Sequence, residues 1–220
     1  MKGLKKLDFN KTFSDPDLLM ELMLEAIHKV TPSELALLFA TGKSELDIRT
    51  LIVQYLHKQS NGLFVATREW NLHDLAVLVD GQPILAVEGK SWIHRNATNP
   101  EKLNDGDKSI KWGFEKDLNK LLELRSKYPS VNIYLSTILF SIDVSGLSQS
   151  EIDNLAIKYG SEHRLGIQEQ GNFENLTGMG RSKLTEFLQP YGTVKRLPIN
   201  TGKYHGLDVW ADLFLLLPIN

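Results

Sequence analysis

Three charged residues stand within two short segments whose other members are mostly Leu, Val, Ala and Ile. Asp74 lies within LHDLAVLVDG, and Glu88 and Lys90 lie two residues apart within QPILAVEGKSW. Charged groups in apolar strands are costly unless something pairs them, and a divalent cation held by Asp74 and Glu88 would do so. Lys90 beside that ion could orient or deprotonate a water, because a neighbouring cation depresses the pKa of an ammonium. The chemistry that this suits is the attack of a metal-activated water on a phosphodiester.

The turn between these two segments decides whether the three side chains meet. Residues i and i+2 of a strand share a face, so Glu88 and Lys90 point the same way. If the loop has two residues, Asp80-Gly81, Asp74 lies on the face opposite Glu88. If Gln82 also belongs to the loop, Asp74 pairs directly with Glu88, and all three groups gather. The sequence leaves both registers open.

A helix before the strands offers a further carboxylate. The segment SELDIRTLIVQYLHKQ begins at a capping Ser44 and places Ile48 and Ile52 on one apolar stripe. Glu45 precedes these isoleucines at helical spacing, so it extends their stripe and can face the sheet as a ligand. An equally weighted interpretation is that Glu45 only stabilises the first turn of the helix through its dipole.

Hydrophobic periodicity predicts the other elements of the chain. Two helices precede Ser44, in DPDLLMELMLEAIHKV and SELALLFA. The middle of the chain then reads as helix, three strands, helix and strand. Its remaining parts are the strand LFVATREW, a polar loop from His94 to Gly106, the amphipathic helix in DKSIKWGFEKDLNKLLELRSKY and the buried strand VNIYLSTILFSI. Beyond Asp143, two helices are predicted, in SQSEIDNLAIKYG and GRSKLTEFLQPYG, before an apolar tail that can dock on the core.

In these residues and this element order the chain resembles the PD-(D/E)XK nuclease superfamily. The matching pattern is Asp74, thirteen intervening residues and then Glu88-Gly89-Lys90. His73 stands where the family name puts proline, and Gly89 replaces a more usual apolar residue. The resemblance implies an α/β restriction-endonuclease-like core over residues 44–143, with a central mixed β-sheet flanked by helices. Residues 1–43 would be N-terminal helices packed on that core, and 144–220 a C-terminal extension of the same domain.

The resemblance also implies a division of roles within the site. Asp74, Glu88 and the backbone carbonyl of Gly89 would bind Mg²⁺, with Mn²⁺ able to substitute for it. Lys90 would position the nucleophilic water, and Glu45 would be the auxiliary carboxylate that the family often carries on a helix. For Asp74, Glu88 and Lys90 the alternative is a structural role, as exposed strand ends or a salt-bridged cluster.

Composition narrows the range of functions further. The 220 residues include no cysteine, which excludes disulfides, thiolate metal sites and cysteine nucleophiles. The net charge of -2 argues against a uniformly basic nucleic-acid coat, although a local basic face remains open. The longest apolar runs are far shorter than a membrane span, so we expect a soluble cytoplasmic protein without a membrane partner. No Gly-Lys-Ser/Thr follows a strand, so no nucleotide cofactor is expected.

Basic residues near the predicted strand ends are candidates for DNA phosphate contacts. They are Arg68, His94 and Arg95. Lys108, on the predicted long helix, either contacts phosphate or belongs to a solvated helix face, the second interpretation being favoured. His73 adjoins Asp74, but strand alternation sends its side chain to the other face, which favours a structural role.

The sequence thus predicts a metal-dependent nuclease, with DNA favoured over RNA as its substrate. By resemblance the leading subtype is a restriction-type endonuclease, followed by a repair or phage nuclease. Base contacts could come from the polar segment GIQEQGNFENLTGMGRSK, and cleavage of both strands at a palindrome would require a homodimer. The alternatives are a non-catalytic nucleic-acid-binding or assembly protein that keeps the fold, and an RNA-cleaving toxin-type nuclease.

Overall fold

Helices cover both faces of a mixed β-sheet in the computed structural model, which describes residues 8–41, 44–104, 109–159 and 173–219. The helices are α1 (Phe9–Ser14), α2 (Pro16–Ile27), α3 (Pro32–Thr41), α4 (Ser44–Ser60), α5 (His94–Thr98), α6 (Pro100–Asn104), α7 (Ile110–Lys127), α8 (Gln149–Tyr159) and α9 (Phe173–Leu188). The strands are β1 (Val65–Trp70), β2 (His73–Val79), β3 (Gln82–Ile93), β4 (Asn132–Ile142), β5 (Gly192–Ile199), β6 (Lys203–Tyr204) and β7 (Leu207–Pro218). The predicted α/β class, with a central mixed sheet flanked by helices, is confirmed. Among the described helices, none has the length and apolar character needed to cross a membrane.

The sheet has the strand order β1-β2-β3-β4-β7-β5, and β6 pairs with β7 at its side. Among the described strands, only β3 and β4 run parallel, and the chain between them includes the helices α5, α6 and α7, as a parallel connection requires. Helices α2, α3 and α4 pack on one face of the sheet. Helices α7 and α9 pack on the other face. A side chain of β3 therefore points toward either α4 or α7.

The hairpin of β2 and β3 combines features of both predicted registers. Its turn is the two-residue loop Asp80-Gly81, with φ angles of 49° and 77°, so Val79 pairs with Gln82. The register then shifts, because Ile84 has no partner and forms a β-bulge. Beyond the bulge the strands are aligned as a three-residue loop would align them.

Two predicted boundaries are wrong because contacts distant in sequence stabilise the elements. The predicted polar loop from His94 to Gly106 contains α5 and α6, and α5 packs against α9. Helix α9 begins at Phe173 and therefore earlier than predicted. Gly178 and Gly180 lie in its first half, and their low helix propensity hid this part of the helix from the sequence pattern.

The apolar tail is an interior strand of the sheet, whereas the sequence predicted only a docked segment. Strand β7 lies between β4 and β5, and β5 was not predicted. A strand that is covered on both faces is apolar throughout and lacks the alternation that identifies half-buried strands. The sheet is therefore completed by residues beyond 143.

Leu215→Ala tests this placement of the tail. Leu215 is fully buried at 0% exposure, so we expect the change to lower the free energy of unfolding by about 2–5 kcal/mol. Urea denaturation measures the effect. Ile219→Ala is the control at an exposed position just past the strand, where a change within about 0.5 kcal/mol is expected. Equal, small effects of both changes would contradict a buried strand.

Candidate active site

The candidate site lies where β2 and β3 stop pairing. Leu75 with Val87 is the last pair of their ladder, while β3 continues alongside β4 as far as Ile93. Beyond the ladder, the Gly89 N–H donates to the Asp74 Oδ2 atom at 2.8 Å. Because the N–H and C=O of one strand residue project to the same side, the Gly89 carbonyl also points into this gap. The gap thus brings a carboxylate and a backbone carbonyl together.

Helix α4 brings Glu45 to the same gap. The Ser44 and Ser91 hydroxyl oxygens lie 2.7 Å apart, which holds the start of α4 against β3. Ile48, one turn further along α4, is buried at 3% exposure. A Cβ atom on Gly89 would lie 3.9 Å from Glu45 Cγ and 3.7 Å from Asp74 Oδ2. Glu45 therefore faces the sheet, as its place in the apolar stripe predicts.

Arg49 links the carboxylates at the gap. Its Nη2 atom lies 2.9 Å from Glu45 Oε1 and 3.1 Å from Asp74 Oδ1, and its Nη1 atom contacts Glu69 Oε1 at 2.5 Å. Its side chain is only 8% exposed. The sequence analysis missed Arg49; the available signal was its position four residues after Glu45, which is the spacing of a helical ion pair.

Glu88 points toward α7, on the face of the sheet opposite α4. Its Oε1 atom lies 2.7 Å from Lys120 Nζ and 2.7 Å from His73 Nδ1, and its side chain is 1% exposed. Asp74 instead contacts Arg49 of α4. The two predicted metal-binding carboxylates are thus near each other along the strands but turn toward different helices. His73 faces away from Asp74, as alternation predicts.

Lys90 also contacts α7, where its partner is Asp117. Its Nζ atom lies 2.5 Å from Asp117 Oδ2. Burial lowers the pKa of Lys90, but the hydrogen bond and charge of Asp117, together with Glu45 and Asp74, outweigh it and hold the pKa above its ordinary value. The sequence analysis expected a lowered pKa for Lys90 beside a cation, whereas these carboxylates raise it. Lys90 is a charged hydrogen-bond donor.

The charges around the gap do not balance. Five carboxylates and three basic side chains are in contact or coupled across it. The carboxylates are Glu45, Glu69, Asp74, Glu88 and Asp117, and the cations are Arg49, Lys90 and Lys120. The carboxylates therefore outnumber these basic side chains by two.

Burial raises the pKa of Glu45 above 4.5, against the lowering effects of Lys90 and Arg49. Burial also raises the pKa of Glu88, although its hydrogen bonds to His73 and Lys120 oppose the change. Both shifts mean that desolvation makes the charged carboxylates costly to hold in the folded protein. A further cation at the gap would relieve this cost.

The shift at Glu45 predicts a pH dependence of stability. An acid whose folded pKa is raised contributes most stability below its unfolded pKa, and that contribution is lost as pH rises through the folded pKa. We therefore expect the Tm of Glu45→Gln to rise relative to wild type between about pH 4 and pH 8. Thermal melts across this range measure the difference. Glu123→Gln, at an exposed position of α7, controls for the removal of a carboxylate, and a Tm difference that stays flat for Glu45→Gln would contradict the expectation.

Some of the residues predicted to contact DNA lie within the described part of the chain. Arg68 is exposed on β1, and its Nη1 atom donates to Thr50 Oγ1 at 2.6 Å. His94 and Arg95 begin α5 near the end of β3. Lys108 lies outside the described residues, as do residues 166–172 of the predicted base-contact segment.

The gap opens to solvent through a cleft of about 400 Å³ lined by Glu45, Asp74 and Ser91 among others. Within the part of the chain that the structure describes, no three His, Asp or Glu side chains are grouped as a metal centre. No protein-family model, curated protein or solved structure matches this chain. Its function is therefore inferred from the chemistry of the gap.

Proposed function

We propose that this protein is a metal-dependent nuclease of the PD-(D/E)XK type, with a restriction-endonuclease-like core, that hydrolyses phosphodiester bonds in DNA. The observation that carries the proposal is the gap between β2 and β3. There Asp74, Glu45 and the Gly89 carbonyl converge beside the Lys90 ammonium, in surroundings where carboxylates outnumber basic side chains by two. A divalent cation is the ligand that this combination of oxygen donors and charge favours.

The donors fit Mg²⁺ or Mn²⁺ because all of them are hard oxygen atoms. Asp74, Glu45 and the Gly89 carbonyl would hold the ion. When bound, it would supply an activated water and neutralise charge that develops on the phosphate. Coordination by Glu88 stays a prediction, since its Oε1 atom would have to exchange Lys120 or His73 for the ion.

The remaining residues prepare the gap for this chemistry. Lys90 is held by Asp117 and can donate a hydrogen bond to the attacking water, which fixes the direction of its lone pair. Arg49 holds Glu45 and Asp74 at fixed positions before any ligand arrives. Such preorganisation avoids the cost of reorganising charged groups during the reaction.

Cleavage of DNA by purified protein tests the proposal. Supercoiled plasmid and linear duplex are incubated with Mg²⁺, Mn²⁺ or EDTA, using wild type, Lys90→Ala and the control Lys183→Ala, an exposed lysine of α9. We expect metal-dependent cleavage that falls by about 10²–10⁴-fold in Lys90→Ala and is unchanged in the control. Discrete fragments would support a restriction-type enzyme. Cleavage that persists in EDTA, or that Lys90→Ala retains, would contradict the proposal.

A non-catalytic binding or assembly protein is the second candidate. The observation in its favour is that Asp74, Glu88 and Lys90 each contact an oppositely charged side chain of the protein itself. The nuclease predicts that Mg²⁺ or Mn²⁺ raises the Tm of wild type and leaves that of Asp74→Ala unchanged, whereas the binding protein predicts no rise in either. An RNA substrate in the cleavage assay separates the toxin-type nuclease from a DNA-cutting enzyme.

A further inference from the structure

Beyond the gap, β3 presents a row of functional side chains to α7. Glu88, Lys90 and Trp92 alternate along the strand, so they share the face toward that helix. Glu88 contacts Lys120 and Lys90 contacts Asp117. Trp92 follows at the next position of the row, beside the first turns of α7. The row thus leads from the candidate active site to the helix N-terminus.

A cavity of about 340 Å³ opens at the end of this row. Its walls include Lys90, Trp92, Asn96, Lys102, Ser109 and Gly113. The charged side chains in this wall are Lys90 and Lys102, whereas those of the cleft at the gap are Glu45, Glu69 and Asp74 together with Arg49. The lysines therefore make this cavity suited to an anion.

We propose that this cavity binds one unpaired nucleotide of a DNA strand, next to the phosphate that is cleaved. Its position relative to the cleaved bond rests on the proposed nuclease function. Trp92 supplies an aromatic surface for stacking of the base, and Lys90 and Lys102 attract the flanking phosphates. Asn96 and Ser109 supply hydrogen-bonding groups for the base edge. The volume lies in the range of small-molecule pockets.

This occupant narrows the substrate class. A base within a duplex is stacked and paired, and it reaches a side pocket only if it leaves the stack, which costs a few kcal/mol. Single strands, frayed ends and flaps avoid that cost. The cavity therefore favours a nuclease that acts on unpaired strands over one that reads intact duplex.

Gly113 lies in the wall of the cavity, so a larger side chain at this position can block the cavity without disturbing the core. Apart from its chain neighbours and the backbone of its own helix, a Cβ atom placed on Gly113 would have no atom within 4 Å. We therefore expect Gly113→Leu to fold and to fill the cavity, while Gly113→Ala leaves it open and favours the helix. Trp92→Ala removes the stacking surface and leaves the lysines in place.

Binding is measured by fluorescence anisotropy with a labelled 12-nucleotide single strand and the matching duplex, in EDTA so that hydrolysis is prevented. Wild type is expected to bind the single strand more tightly than the duplex. Trp92→Ala and Gly113→Leu should weaken single-strand binding by about 5- to 150-fold, the loss of one stacked base. Gly113→Ala should stay within about twofold of wild type because it removes no contact. Thermal melts verify that each variant is folded, and Gly113→Leu keeps the test decisive if Trp92→Ala does not fold.

The outcomes separate this proposal from the nuclease function. Loss of single-strand binding in both variants, with no DNA cleavage by wild type in any metal, would retain the nucleotide cavity and overturn the nuclease. Plasmid cleavage by wild type, with single-strand binding that neither variant changes, would retain the nuclease and overturn the cavity. Wild-type protein that binds no single strand, or binds duplex equally well, would also overturn the cavity.

Discussion

Asp74→Asn is expected to lower metal-dependent DNA cleavage by at least about 100-fold. Asp74 uses its two oxygens differently: Oδ2 accepts from the Gly89 N–H, and Oδ1 contacts Arg49. Asparagine has one oxygen and an amide, so it can satisfy only one of these two donors. The change also removes the negative charge that would attract the metal.

The same mismatch predicts a modest loss of stability, about 1–3 kcal/mol, since one donor at the gap would face the asparagine amide. Cleavage of plasmid and thermal melting are therefore measured together on each protein. Asp153→Asn is the matched control, because Asp153 is exposed on α8 and contacts only Gln149 in the hydrogen bonds described for it. If Asp74→Asn cleaves DNA like the control while melting at a lower temperature, Asp74 has a structural role alone.

The residues around the gap were predictable to the extent that local patterns determine them. Runs rich in Val, Ile and Leu, separated by the Asp80-Gly81 turn, identified the segments that carry Asp74 and Lys90, and the apolar stripe of α4 oriented Glu45. The bulge at Ile84 was not predictable, because a bulge depends on how the two strands fit the core beneath them. Without it, the observed two-residue loop would not pair Leu75 with Val87.

The orientation of Glu88 shows a second limit of local patterns. Alternation correctly gave Glu88 and Lys90 one face, but a sequence does not show which helix covers that face. The contacts of Glu88 with Lys120 and of Lys90 with Asp117 depend on the packing of α7 across the sheet. Arg49 was missed for the same reason, since its link to Asp74 joins a helix to a strand far along the chain.

The elements beyond residue 143 were less predictable than the core. Strand β7 is inserted between β4 and β5, so it is apolar on both faces and gives no alternating pattern. Helices α5 and α6 are each five residues long, too short for a helical period to emerge from the sequence. They are nevertheless next to Trp92 and contribute Asn96 and Lys102 to the cavity.

Lys120→Met is expected to cost about 3 kcal/mol of unfolding free energy at neutral pH, the largest structural effect at the site. It would leave the carboxylate of Glu88, which is 1% exposed, with His73 as the partner described for it. The side chain of Lys120 is 28% exposed, which places the effect at the lower end of the range for buried pairs. Urea denaturation measures the loss, and Lys111→Met at an exposed position of α7 is the control.

The pH dependence of this loss identifies its cause. The pKa of Glu88 is already raised by burial, and removal of Lys120 raises it further, so protonation of Glu88 should recover stability as pH falls. Lys120→Met combined with Glu88→Gln should lose less than Lys120→Met alone, because no buried charge remains. Equal losses in the single and double variants would assign the effect to packing of the lysine stem.

The same variant determines whether Glu88 can join a metal site. Lys120 and a divalent cation would compete for the Glu88 Oε1 atom, since both satisfy the same buried charge. If Glu88 is a ligand, Mg²⁺ should raise the Tm of Lys120→Met more than it raises that of wild type. If Asp74, Glu45 and the Gly89 carbonyl hold the ion without Glu88, the two increases should be equal. The predicted coordination by Glu88 thus depends on whether the ion replaces the lysine.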